Sequence, residues 1–151
     1  MHQLLLLHPA RLDALGIEAP TTLRGVTQSP IEGFSLRSCF DDPAAPSLHL
    51  TQYFEMFGNR AIYHDGWLAR TIHRAPWEAK PRRALKDNSA WELFDTRSDF
   101  SLANDLAAKN PKKLAELQAL FLKEAARHGA LPLDDRVFER LDGAAVGRPD
   151  V

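Results

Sequence analysis

The chain has 151 residues, 44% hydrophobic and 26% charged, which is the profile of one ordinary folded domain and excludes a disordered or fibrous chain. A formal net charge of -1 supplies no global positive field to draw it to nucleic acid or an anionic membrane, and a single cysteine, Cys39, excludes an internal disulfide. The apolar run Leu4–Leu7 is far shorter than the roughly 20 residues a bilayer span requires, and it lacks the build of a secretory signal, so these residues give no membrane or compartment address.

Residues 1–16 read as a short helix in their second half. Leu12 and Leu15, joined by Leu7, share one side; Pro9 sits near the first turn, where its missing N–H is harmless; Gly16 is the stop. From Glu18 to Pro46 the chain is loop-rich, because Pro20, Gly25, Pro30, Gly33, Pro43 and Pro46 recur too closely for long regular elements. A connector of this length is unusual inside a compact domain and suits a segment laid across a surface that another domain supplies. Asp41-Asp42 has the chemistry of a hard-cation ligand pair, but without further carboxylates at regular spacing it reads as a turn before Pro43. Cys39 reads as a small core or loop thiol rather than a reactive one.

Leu48 to Arg74 is the centre of the chain. His49–Met56 is rich in β-branched and aromatic residues and predicts a strand; Gly58-Asn59 predicts a turn; Arg60–His64 predicts a second strand. Asp65-Gly66 is the signature of a two-residue primed hairpin turn, and Trp67–His73 is the third strand. The period of two puts Ala61 and Tyr63 on one face and Arg60, Ile62 and His64 on the other; Leu68, Arg70 and Ile72 likewise oppose Trp67, Ala69 and Thr71. Both faces are partly apolar, unlike a sheet that is wet on one side. One face is expected to meet a helix of this chain and the other to meet something else.

Arg74 to Ser89 is basic, with Lys80, Arg82, Arg83 and Lys86, but only Trp77 interleaves an aromatic ring, so a solvated loop fits better than a nucleic-acid patch. Trp91–Asp95 predicts a fourth strand. Phe100–Lys109 predicts a turn and a short helix capped by Ser101, with Leu102 and Leu106 four apart. The clearest helix follows: Asn110 as cap, Pro111 as first helical residue, Gly129 as stop. Its apolar stripe is Leu114, Leu117, Phe121 and Ala125, widened by Leu120, and is expected to cover one face of the sheet at roughly 1.5–3 kcal/mol for each large side chain. Leu131 onward reads as a short ordered tail that frays from Gly143.

The strings TQYFEMFGNRAIYHDGWLA, WELFDTRSDFSLANDLAAKNPKKLAELQALFLKEA and LPLDDR resemble the C-terminal end of arylsulfatases of the type I sulfatase family, in the alkaline-phosphatase-like superfamily. ALGIEAP, GVTQSPIEGFSL and FDDPAAPS are similar to the segment leading into that end, so the resemblance runs from about Leu12 to Arg140. It implies an α+β fold: a small four-stranded antiparallel sheet packed against a long C-terminal helix, preceded by an extended loop-rich arm. The implied division is 1–46 as arm or connector from a catalytic domain, 47–141 as the sulfatase-like subdomain and 142–151 as a frayed tail. The family hydrolyses sulfate esters with a formylglycine made from the first residue of a C-x-P-S-R motif. A divalent cation, usually calcium, is held by acidic residues and an asparagine.

This chain departs from that pattern. Cys39 is followed by Phe40, Asp41, Asp42 and Pro43, so it has no C-x-P-S-R motif. The family's metal ligands and sulfate-binding lysines and histidines belong to upstream segments that the resemblance does not cover. Where the family has an apolar VDxxPTxL stretch before ALGI, this chain reads MHQLLLLHPARL, which suits a shortened form. The implied function is that of an arylsulfatase C-terminal subdomain, inactive alone, with no catalytic residue, metal ligand or cofactor of its own; calcium and formylglycine belong to the complete enzyme. Its partner is then the missing catalytic domain, supplied by a separate chain if the two complement, or a second copy of itself. The alternative is a stand-alone interaction or oligomerisation module that uses the exposed sheet face. His64-Asp65 invites a base-and-orienter reading, but neighbours on a strand point to opposite faces, so both read as hairpin-turn residues. In an intact relative this hairpin approaches the active-site rim, which makes Arg60 and His64 the candidate contacts to a substrate's organic portion. His49 and His73 lack two further ligands at metal spacing, and Asp134-Asp135 reads as a helix start or salt-bridge pair.

Overall fold

The computed structural model describes residues 11–29, 33–35, 37–42, 44–74, 77, 85 and 90–133. The run Leu4–Leu7, Pro9, most of the basic stretch, the pair Asp134-Asp135 and the tail beyond them lie outside the described residues. The chain divides into two units, Met1–Leu50 and Thr51–Val151.

In the first unit residues 11–14 form a turn of helix, α1, closed by Gly16 at φ 65. Two short strands, β1 (Thr22–Leu23) and β2 (Val26–Thr27), pair antiparallel through Arg24 and Gly25, both at positive φ (50 and 80). A four-residue helix, α2 (Ser38–Asp41), follows and carries an exposed Cys39. The sequence shows only loop here; Gly25 was visible as a turn residue, but the hairpin also needs Arg24 in the left-handed region, which side-chain chemistry does not announce. Asp13 ties the segment together, accepting from Ser35 Oγ and facing Arg37 Nη1 at 3.6 Å. Asp42 Oδ1 accepts the Ala44 N–H at 2.9 Å, which is the turn expected of the Asp41-Asp42 pair.

The second unit is an α+β fold. β3 (Thr51–Met56), β4 (Asn59–His64), β5 (Trp67–Thr71) and β6 (Glu92–Asp95) form one antiparallel sheet in that order, and α3 (Pro111–Arg127) packs against it. Register aligns Tyr53, Ile62, Ala69 and Leu93 across the sheet. Ile62, Ala69 and Leu93 are buried against Leu117, Phe121 and Ala125 of α3, the expected stripe. The Phe121 ring lies 5.0 Å from that of Tyr53 and 5.6 Å from that of Trp91. Burial of each large side chain in this cluster stabilises by roughly 1.5–3 kcal/mol, so the cluster carries the fold.

Both hairpin turns are of the primed kind. Asp65 and Gly66 take φ 44 and 81, as the sequence predicts. The other turn sits one residue earlier than expected, at Phe57 and Gly58 (φ 52 and 84), which releases Asn59 to open β4. Asn59 then works as a clamp. Its Oδ1 accepts the N–H groups of His73 (2.8 Å) and Arg74 (3.1 Å), and its Nδ2 donates to the carbonyls of Met56 (3.0 Å) and Arg74 (2.9 Å).

The short helix expected over Phe100–Lys109 does not form. Leu102 stands at φ 56, which no right-handed helix accommodates, and carboxylates organise the segment instead. Ser101 Oγ donates to Asp99 rather than capping a helix, and Asp99 Oδ2 accepts the Asn104 N–H at 2.7 Å. Asp105 Oδ1 accepts the Leu93 and Ala107 N–H groups, both at 2.9 Å. Leu93 in turn accepts the Leu106 N–H at 2.7 Å, so this loop covers the outer edge of β6.

Asn110 is the N-cap of α3 by position, but its side chain makes no cap hydrogen bond; Pro111, with its fixed φ, sets the first turn. The C-terminal end is a Schellman motif. Gly129 (φ 64) donates to Ala126 O and Ala130 donates to Ala125 O, which satisfies two carbonyls of the last turn.

Candidate functional site

Arg60 and His64 occupy the two ends of β4 on the face that α3 covers, the face of Ile62. They stand four positions apart, which is roughly 13 Å along a strand, so the sheet does not bring them together. Arg60 lies with its guanidinium carbon 5.5 Å from the centroid of the Trp91 ring and pairs in register with Glu55. Burial lowers its pKa from the ordinary value, and the charge of Glu55 opposes that shift. These contacts turn Arg60 toward its own fold.

His64 belongs to a more open place. Register sets Thr51, His64, Trp67 and Asp95 in one row across the end of the sheet. His64 Nδ1 and Thr51 Oγ1 share a 2.8 Å hydrogen bond, which fixes the imidazole within the row rather than against Asp65. Asp65 itself sits in the turn at positive φ. Beside the row, Arg97 grips Asp95 through two bonds, Nε to Oδ1 at 2.8 Å and Nη2 to Oδ2 at 3.0 Å, with its guanidinium carbon 5.6 Å from the Trp67 ring centroid. The bond from Arg97 holds the Asp95 carboxyl below its usual range, and the same bond raises Arg97. Thr96 donates through both its N–H and its hydroxyl to Gly66 O at 2.8 Å, fastening the hairpin tip to the end of β6.

The row presents a hydroxyl, an imidazole, an indole and a guanidinium–carboxylate pair on rigid strands. These groups are largely bonded to one another, Thr51 to His64 and Arg97 to Asp95. Sequence reasoning singles out His64 and does not show that register sets Thr51 and Asp95, with Arg97 beside them, in the same row. The signal for the last two was the D-T-R triplet closing β6, in which Asp95 and Arg97 are two apart around a turn.

Of the other histidines considered, His49 meets Phe34 edge-on at 5.4 Å in the first unit and His73 is buried behind the Asn59 clamp. Among the described residues no group of three histidine, cysteine or acidic side chains has the arrangement to hold a metal ion. No helix among them is long and apolar enough to cross a membrane.

No family model matches the sequence, and no curated protein matches it. Solved structures do. One is a sulfatase from work on glycosaminoglycan metabolism by Bacteroides thetaiotaomicron, 17% identical, with TM-score 0.50 over 78% of this chain and 23% of that chain. A second is a protein solved in complex with its substrate D-glucosamine-2-N,6-O-disulfate, 18% identical, with TM-score 0.54 over 85% of this chain and 25% of that chain. The fold is sulfatase-like. This chain spans about a quarter of the length of those structures.

Proposed function

We propose that the chain is the C-terminal subdomain of a type I sulfatase whose reactive machinery resides in a separate catalytic portion. The observation that carries this reading is the likeness of 78% of this chain, at TM-score 0.50, to 23% of a solved sulfatase. The strings around TQYFEMFGNRAIYHDGWLA support it independently. In this reading residues 47–141 close the edge of the catalytic domain and shape the approach to its pocket, 1–46 connect to it and 142–151 trail. His64, within the Thr51–Asp95 row, is the residue assigned to the rim, where it would touch the organic portion of a sulfate ester; Arg60, the other rim candidate, would have to leave the Trp91 ring to reach it. Calcium and the formylglycine belong to the catalytic portion, since Cys39 lacks the C-x-P-S-R context for that modification.

The test is to incubate the pure chain with a chromogenic aryl sulfate and calcium. The expected result is no hydrolysis; turnover above a boiled control ends the proposal. A second reading, a stand-alone interaction module, is favoured by one observation. Phe54 (42% exposed) and Met56 (61%), with Ile72 (63%) just past β5, present large apolar side chains on the sheet face turned away from α3.

A further inference from the structure

The two edges of the sheet are treated differently. At β6 the Leu93 N–H goes to Asp105 Oδ1 and the Leu93 carbonyl accepts from Leu106, so no strand can add there without breaking both bonds. At β3 the turn geometry decides which groups face out. Met56 and Asn59 flank a two-residue primed turn and so form a hydrogen-bonded pair; by alternation Phe54 with Ala61 and Gln52 with Tyr63 do the same. Thr51, Tyr53 and Glu55 therefore direct their N–H and carbonyl groups outward. Of these, the Tyr53 carbonyl accepts the side-chain amide of its neighbour Gln52 at 2.9 Å, and among the described residues no other strand pairs with this edge.

The residues of β3 carry one of the usual protections of an edge strand, the charge of Glu55, whose Oε1 is held by the Gly58 N–H at 3.0 Å, and lack the others. TQYFEM contains no lysine and no proline, and its register against β4 runs unbroken from Thr51 to Met56 without a bulge. We infer that β3 pairs antiparallel with β3 of a second copy of this chain, about a two-fold axis at Tyr53, joining two four-stranded sheets into one.

Self-pairing about Tyr53 is chemically matched. It sets Thr51 opposite Glu55 of the second copy and Glu55 opposite Thr51, so the single charge of the strand meets a hydroxyl and never its own like. That hydroxyl is the one already bonded to His64, which places an imidazole beside the incoming carboxylate. Tyr53 is held under α3 by Phe121, and its ring stacks with that of His128 at 5.8 Å, so its ring does not stand between the two backbones. The Gln52 amide yields the Tyr53 carbonyl to the N–H of the second strand, a one-for-one exchange.

The experiment is sedimentation of the full chain and two variants, Thr51→Glu and Thr51→Lys, with far-UV circular dichroism to verify the fold of each. Both variants lose the bond to His64, so only the sign of the new charge separates them. Each dimer contains the Thr51–Glu55 contact twice. Thr51→Glu is expected to weaken the dimer roughly fivefold or more, and Thr51→Lys to strengthen it by a similar factor, the gap closing in high salt. A third variant, Met56→Lys on the open apolar face, is expected to leave the dimer constant within about twofold. A chain that is monomeric at hundreds of micromolar overturns the inference. So does a dimer that moves the same way in both Thr51 variants, or one that Met56→Lys abolishes.

Discussion

The two units of this chain are stabilised by different physics. Every buried residue among those described lies in the second unit, where Ile62, Ala69, Leu93, Leu117, Phe121 and Ala125 form one cluster. None of the described residues of the first unit is buried; the ties among them are those of Asp13 with Ser35 and Arg37, and short turns. The difference shows where apolar periodicity ends. A stripe spaced three and four apart and strands alternating in twos make a core, whereas recurring proline and glycine make a path that polar bonds only pin in place.

That contrast is sharpest for Phe121→Ala. Removing a buried ring in contact with Tyr53 and Trp91 is expected to cost about 3–5 kcal/mol, read as a lower urea midpoint for the second unit. Asp105→Ala comes next. It leaves the buried Leu93 without its N–H acceptor and uncovers the β6 edge, at a cost of about 2 kcal/mol by the same measurement and with earlier amide exchange at Leu93. The acid response follows. The N–H of Asn104 and the hydroxyl of Ser101 hold the Asp99 carboxyl down at about 2, against an ordinary value of 3.8. A depressed carboxylate contributes stability that is whole above its unfolded value and is lost as pH falls through the folded one. Melting temperature is therefore expected to fall between about pH 4 and 2, and Asp99→Asn to flatten that part of the profile. The smallest effect belongs to the first unit. Asp13→Ala breaks an exposed tie and is expected to change stability by less than about 0.5 kcal/mol, even as the amide resonances of Ser35 and Arg37 shift. A loss near that of Phe121→Ala would erase the contrast.

Much of the second unit was legible from residues alone. Asp65-Gly66 located one hairpin and the Leu117–Phe121–Ala125 stripe located the buried helix face, because each signal is local and repeats at a fixed period. Two features were not. Leu102 and Phe57 adopt positive φ, and nothing in a leucine or phenylalanine side chain announces it; the surrounding bonds impose it. The helix expected at Phe100–Lys109 failed for that reason, and the turn before β4 moved by one residue. At the candidate site His64 was visible as a histidine on a hairpin, but its partner Thr51 lies 13 residues back and becomes a neighbour only through register. Arg60 looked equivalent to His64 in the sequence and stands apart from it because it packs toward Trp91.

The carboxylate of Asp105 has a consequence for how large an assembly can grow. A sheet with two available margins polymerises, each addition presenting a fresh margin to the next. With one margin sealed by Asp105 and Leu106, the pairing inferred at β3 would use the margin that the described strands leave open, and growth by strand addition would stop at two. The Asp105 loop would then be what separates a closed pair from an open ribbon.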